Sequence, residues 1–176
     1  MPLLKNNTLV ADSWVPVGPE DALPPKGNVI VPLQRLLSTW DELSAHDGRL
    51  GVQLGNVDKP EALAHVLSRL SLIVLPFPAF NDGRAYSLAR KLREMGYAGE
   101  LRATGNVLPD QLQLMLQVGF DTFDIGERFP LETWQKASRQ MSLAYQRGLF
   151  RRDAEPEIWT ERHTDAEPWL EQPHAG

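Results

Sequence analysis

The residue types best suited to chemistry fall in one short turn. "PAFNDGR", residues 78 to 84, follows the apolar run "LIVL" (72 to 75) and precedes a stretch where Ala85, Leu88, Ala89, Leu92 and Met95 recur at helical spacing. Asn81 and Asp82 are helix-capping types, and Gly83 admits a close backbone approach. Arg84 sets a guanidinium beside a helix N-terminus, whose free N–H groups favour anions. Such a turn can hold an oxyanion or fasten a partner. If the flanking strands are parallel, two more loops share its edge, "NVDKP" (56 to 60) and "GNVLPDQ" (105 to 111), because ligands collect at the C-terminal strand ends.

Asp110 and Gln111 join the candidate set from the third loop, and Tyr86 extends it along the helix. Arg102, inside "ELRAT" (100 to 104), places a charge in an otherwise apolar strand. Such a charge is normally paired, and Asp82 or Asp110 is the expected structural partner, with a bound anion as the functional alternative. The candidate anion- or partner-binding set is therefore Asn81, Asp82, Gly83, Arg84, Tyr86, Arg102, Asp110 and Gln111.

Other chemistries lack their residues. There is no Cys, which removes disulfides, thiolate nucleophiles, Cys-ligated clusters and thiolate zinc sites. His46, His65, His163 and His174 are scattered without metal-ligand spacing, so no metal site is expected. No GxGxxG follows a strand, no GxxxxGK is present, and there is no nucleophile elbow. The sequence names neither a catalytic residue nor a cofactor.

The elements that must position these residues follow from periodicity. "NVIV" (28 to 31), "LGVQL" (50 to 54), "LIVL" (72 to 75), "ELRAT" (100 to 104) and "DTFDI" (121 to 125) read as strands, each followed by a helical pattern. The first helix carries Leu33, Leu36, Leu37, Trp40 and Leu43. A second opens at "DKPE", with Asp58 as cap, Pro60 in the first turn and Glu61 as capping-box partner, and carries Leu63, Val66, Leu67 and Leu70. Gly96 and Gly119 stand where a left-handed residue stops a helix. A last helix from about Pro130 to Gln146 turns Leu131, Trp134, Met141 and Tyr145 inward, and Gly148 closes it.

This alternation predicts an α/β fold of about five βα units with a mainly parallel sheet, either open and doubly wound or a partial β/α barrel. A short N-terminal strand pair is expected within "TLVADSWVPV". The 176 residues, 42% hydrophobic, suit one core, expected over 1 to 148. Residues 149 to 176, charged and Pro-rich, are expected to be a disordered tail in which Trp159 and Trp169 could anchor a partner. The net charge of −5 disfavours nucleic acid, and no apolar run suits a membrane helix, so a cytoplasmic protein is expected.

"FNDGRAYSLAR" and "GELRATGNVLPDQ" together resemble the DUF934 family, a bacterial family labelled an oxidoreductase of sulfite reduction; the resemblance covers roughly residues 1 to 148. It implies a place in assimilatory sulfate reduction beside a sulfite reductase haemoprotein. Two roles follow as expectations. One is an accessory protein that binds the sulfite-reducing component or its electron donor. The other is an oxidoreductase that holds sulfite or a related oxyanion at Arg84, Arg102 and the helix N-terminus after Asp82.

Overall fold

The computed structural model describes residues 2–139. The expected helix end at Gly148, the tail from 149 to 176 and Trp159 and Trp169 lie outside the described residues.

All five expected strands form: β4 (Asn28–Pro32), β5 (Leu50–Gln53), β6 (Leu70–Phe77), β7 (Glu100–Gly105) and β8 (Thr122–Asp124). Each is parallel to its neighbours in sequence order. Three further strands come from the first 16 residues: β1 (Leu3–Lys5), β2 (Thr8–Val10) and β3 (Trp14–Pro16). The sheet is thus eight-stranded, in the order β2-β1-β8-β7-β6-β5-β4-β3, rather than a set of five βα units. Because β3 to β8 add one after another in one direction, right-handed crossovers put every connection on the same face. That topology is singly wound, which removes the doubly wound alternative.

The expected N-terminal strand pair is replaced by a different arrangement. Asn6 and Asn7, both at positive φ, make a tight two-residue turn that pairs β1 with β2 antiparallel, while β3 leaves for the far edge and lies parallel to β4. Only Ala11, Asp12 and Ser13 separate β2 from β3. The chain from Val10 to Trp14 spans at most about 14 Å, whereas a flat sheet of eight strands would set its edges about 34 Å apart. The sheet therefore curls into a half-barrel whose two edges are successive parts of one extended segment, 8–16. Register agrees. From Thr8 through Lys5, Thr122, Arg102, Val74 and Gln53, paired positions lead to Pro32. Pro32 is two residues beyond the partner of Pro16, so the trace returns level with Gly18, about ten residues on from Thr8, the stagger that tilted barrel strands require.

Strand alternation divides the sheet into two faces. Val29, Val31, Val52, Ile73, Leu75, Phe77, Leu101, Ala103 and Phe123 point outward into the main core beneath the helices. On the concave face Ile30, Leu72 and Val74 form a smaller cluster under Trp14. A Cβ at Gly51 would lie 3.1 Å from the Trp14 ring and 3.2 Å from the Leu72 Cβ, so a side chain there would push Trp14 aside by a few tenths of an ångström.

The helices cover the outer face. Helix α3 (Arg84–Glu94) buries Ala85, Leu88, Ala89 and Leu92 as its spacing predicts; a buried Leu contributes about 1.5–3 kcal/mol. The first expected helix is broken at Thr39 into α1 (Leu33–Ser38) and α2 (Trp40–Ser44), and Leu37 faces solvent instead of the core. The Thr39 hydroxyl donates to the Arg35 carbonyl, satisfying the α1 end locally. The expected helix after Asp58 is two 3₁₀ turns, Pro60–Leu63 and Leu67–Arg69, and Leu70 already belongs to β6, paired with Leu50. Asp58 accepts from the Gly55 amide and closes its own turn instead of capping. Helix α4 (Leu112–Gln117) packs with α5 (Leu131–Arg139), whose Trp134 is fully buried. Gly96 and Gly119 follow α3 and α4 at positive φ, as expected.

Candidate functional site

The "PAFNDGR" turn sits at the C-terminal rim of the half-barrel, between the ends of β5 and β7. It begins where β6 ends at Phe77. The neighbouring strand ends at Gly105, whose φ of +89° and approach to Phe77 exclude a side chain: a Cβ there would lie 2.6 Å from the Phe77 carbonyl oxygen. That closeness lets the third loop hold the second. The Asn106 amide donates to the Phe77 carbonyl at 2.8 Å, and its Nδ2 donates to the Pro78 carbonyl at 2.6 Å. Gln111 Nε2 donates to the Phe80 carbonyl at 2.6 Å. From the β5 side, Asn56 Nδ2 donates to Asp82 Oδ2 at 2.9 Å.

Asp82 is the hub of the turn. Arg84 donates to it through Nε (3.0 Å) and Nη2 (2.7 Å), and the Arg84 backbone amide donates to Oδ1 at 3.1 Å. The Arg84 side chain, then its amide and Asn56, hold the Asp82 carboxyl far below the usual carboxylate range. The residue in the N-cap position is Gly83, so Asp82 takes the first helical amide from one position earlier than expected. Asn81 is exposed at the turn.

Tyr86 meets Phe77 edge-on, with ring centroids 5.2 Å apart. Its hydroxyl is buried and unpartnered, and burial followed by the charge of Asp110 pushes the phenol up. Asn81, Asp82, Gly83, Arg84, Tyr86, Asp110 and Gln111 are therefore brought to one rim.

Arg102 is not part of it. Three residues before Gly105, it lies about 10 Å down the strand, on the concave face. It pairs with neither Asp82 nor Asp110. Its Nη1 donates to Asp12 Oδ2 at 2.8 Å and its Nη2 to Glu100 Oε1 at 3.3 Å. The reason is topological: segment 8–16 crosses the open side of the half-barrel and carries Asp12 over the interior. Glu100 also accepts from Lys5 at 2.9 Å and from the Thr122 hydroxyl at 2.9 Å. Burial raises the Glu100 carboxyl, but Lys5, Thr122 and Arg102 together outweigh it and leave it below its ordinary value. Arg102 Nε and Asp124 Oδ1 remain without partners there.

The rim and the interior offer different chemistry. The guanidinium of Arg84 is occupied by a carboxylate two residues away, so it is not an open anion site. What the rim offers outward is apolar: Phe80 is 60% exposed and Val57 is 81% exposed. Periodicity did not single out Asn56, Phe80 or Asn106, although each lies in a loop selected by the strand-end rule. Glu100 lies two residues from Arg102 on the same strand face, whereas nothing local marks Asp12 as its partner, since that contact arises from the curl of the sheet.

The opposite edge of the sheet carries a cavity of about 850 Å³ between the β1–β2 turn, the 96–99 loop and α4. Its one deeply set cation, Arg93, is committed to the Tyr97, Gly99 and Gly119 carbonyls and to Asp121, clamping two turns together. Among the described residues no group of His, Cys, Asp or Glu is placed to hold a metal ion, and no helix is long and apolar enough to cross a membrane.

The profile of a family described as "Bacterial protein of unknown function (DUF934)" matches residues 51–155. The chain belongs to the DUF934 family. The matched span holds the three candidate loops of the rim, whereas the N-terminal segment that supplies Asp12, Trp14 and Lys5 precedes it. No curated protein and no solved structure matches this DUF934 chain.

Proposed function

We propose that this DUF934 protein is a cytoplasmic accessory component of assimilatory sulfite reduction, acting by binding the sulfite reductase haemoprotein or its electron donor. The sulfur assignment rests on the family resemblance of the two motifs. The accessory role rests on one structural observation: the two arginines that would bind an oxyanion are each already held by carboxylates, and they are apart. Arg84 is chelated by Asp82 at the rim, and Arg102 is paired with Asp12 and Glu100 inside the half-barrel. Sulfite held jointly by these two residues, the oxidoreductase alternative, would require both ion pairs to open.

The test is genetic and biochemical. Deletion in the host should abolish growth on sulfate and on sulfite while leaving growth on sulfide intact, and the tagged full chain should co-purify with a sulfite reductase component. Growth on sulfite without the protein would refute the reading. Sulfite consumption by the purified chain with an electron donor would establish the oxidoreductase instead.

A further inference from the structure

The rim turn is held more firmly than a solvent loop requires, and it is built to present one side chain. Asn106 fixes the Pro78 carbonyl, Gln111 fixes the Phe80 carbonyl, and Asn56 holds Asp82 on the far side. Between these pins the Phe80 ring is exposed, and Val57 is exposed on the neighbouring loop, which Asn56 ties to this turn through Asp82. An aromatic side chain on a backbone fixed in advance loses little freedom on binding, which is the property of an interface anchor.

Three occupants can be weighed. A lipid surface is disfavoured by charge, since on the three rim loops Asp82 and Arg84 neutralise one another and Asp58 and Asp110 outnumber Lys59. A second copy would need a socket for Phe80. Two cavities near residues 96–99 lie at the opposite end of the strands, so a copy using either would join head to tail, in a ring or a filament, rather than as a two-fold dimer. A different protein meets both conditions.

We infer that the C-terminal rim is a docking surface on which Phe80, flanked by Val57, inserts into an apolar pocket of a partner protein edged by basic side chains that face Asp58 and Asp110. This deepens the accessory role proposed above and rests on it for the partner's identity, though not for the surface.

The experiment uses the full chain with a photo-crosslinking benzoyl-phenylalanine at position 80, at 57, or at the exposed Leu114 on α4 as control, in host cells growing on sulfate. Positions 80 and 57 should capture the same protein and position 114 should not. That protein, once purified, should bind Phe80→Ser about 30-fold more weakly than the parent chain. The substitution removes only an exposed side chain, so an unchanged melt certifies the fold. Unchanged affinity, crosslinks to a second copy or to lipid, or none at position 80 would overturn the surface. A captured protein unrelated to sulfite reduction that still loses affinity with Phe80→Ser would sink the functional reading and leave the surface standing. A sulfite reductase component bound equally by parent and variant would do the reverse.

Discussion

Arg84 and Arg102 carry the same charge and are both held by carboxylates, yet they belong to different kinds of structure. The side chain of Arg84 is 57% exposed and that of Arg102 is 5% exposed. Arg84 takes its carboxylate from two residues away, so its pairing orders only a turn. Arg102 takes one carboxylate from ninety residues away, and this pair pins the segment that ties the two sheet edges together. On the rim, water solvates the guanidinium if the pair opens, and Asp82, itself 14% exposed, keeps Asn56 and a backbone amide as donors. In the interior, an opened pair leaves charge facing Trp14, Leu72 and Val74. Exposure, not the presence of an ion pair, decides what each arginine is worth.

The largest effect should follow from breaking the interior pair. Arg102→Met leaves Asp12 and Glu100 without their shared cation, and removing one member of a buried pair costs about 3–5 kcal/mol. Glu100 keeps Lys5 and Thr122, and Asp12 is about a third exposed, so the loss should fall near the lower limit. Urea denaturation measures it. A loss under about 1 kcal/mol would mean that pairing with β1 and β4, with Trp14, suffices to hold segment 8–16.

Next comes Gly105→Ala, which tests whether the rim depends on close backbone approach. The substitution puts a Cβ into the Phe77 carbonyl at a φ that side chains disfavour, for about 1–3 kcal/mol. A neutral outcome in the same melts would show that the β6 and β7 ends can separate without consequence.

Acid should act on both regions, since Asp82 at the rim and Glu100 in the interior are each held below their ordinary values. A carboxyl held below its ordinary value in the folded state contributes stability that is fully present above the unfolded value and is lost as pH falls through the lower, folded value. Glu100 is such a group, so its contribution should be intact above about pH 5 and should decline as pH falls from there. Glu100→Gln should flatten that part of the stability profile. An unchanged acid slope would place the titration that matters elsewhere.

The sequence made the strands legible because alternation and β-branched runs are local signals, and β4 to β8 stand where periodicity puts them. Helix α3 was legible for the same reason. The span 58–70 was not: its apolar residues fit a helix, but β6 claims Leu70 for pairing with Leu50, and the stretch before it forms two 3₁₀ turns. The strand-end rule grouped all the candidates except Arg102 at one rim. A charge within a core strand announces that a partner exists, while the identity of the partner depends on which segment crosses the concave face. Asp12, in a weakly patterned N-terminal stretch, carries no local mark of that position. Phe80 was overlooked for the opposite reason, because an exposed aromatic becomes informative only once its backbone is seen to be pinned.

The smallest effect should come from Arg84→Gln, and it sharpens the comparison most. The guanidinium is lost from the exposed side of the pair, where water and salt already screen it, and the freed Asp82 retains Asn56 and the backbone amide of residue 84. The melting curve should therefore superimpose on that of the parent chain, in contrast to Arg102→Met. Binding of the partner through Phe80 should also survive, because none of the bonds that fix the Pro78 and Phe80 carbonyls involves Arg84. Complementation of growth on sulfate by the variant is the deciding measurement. Retained growth would confine Arg84 to the turn. Lost growth with an unchanged melt would mean that this arginine leaves Asp82 to meet a ligand or partner itself, and the rim would then work through its charge as well as its aromatic side chain.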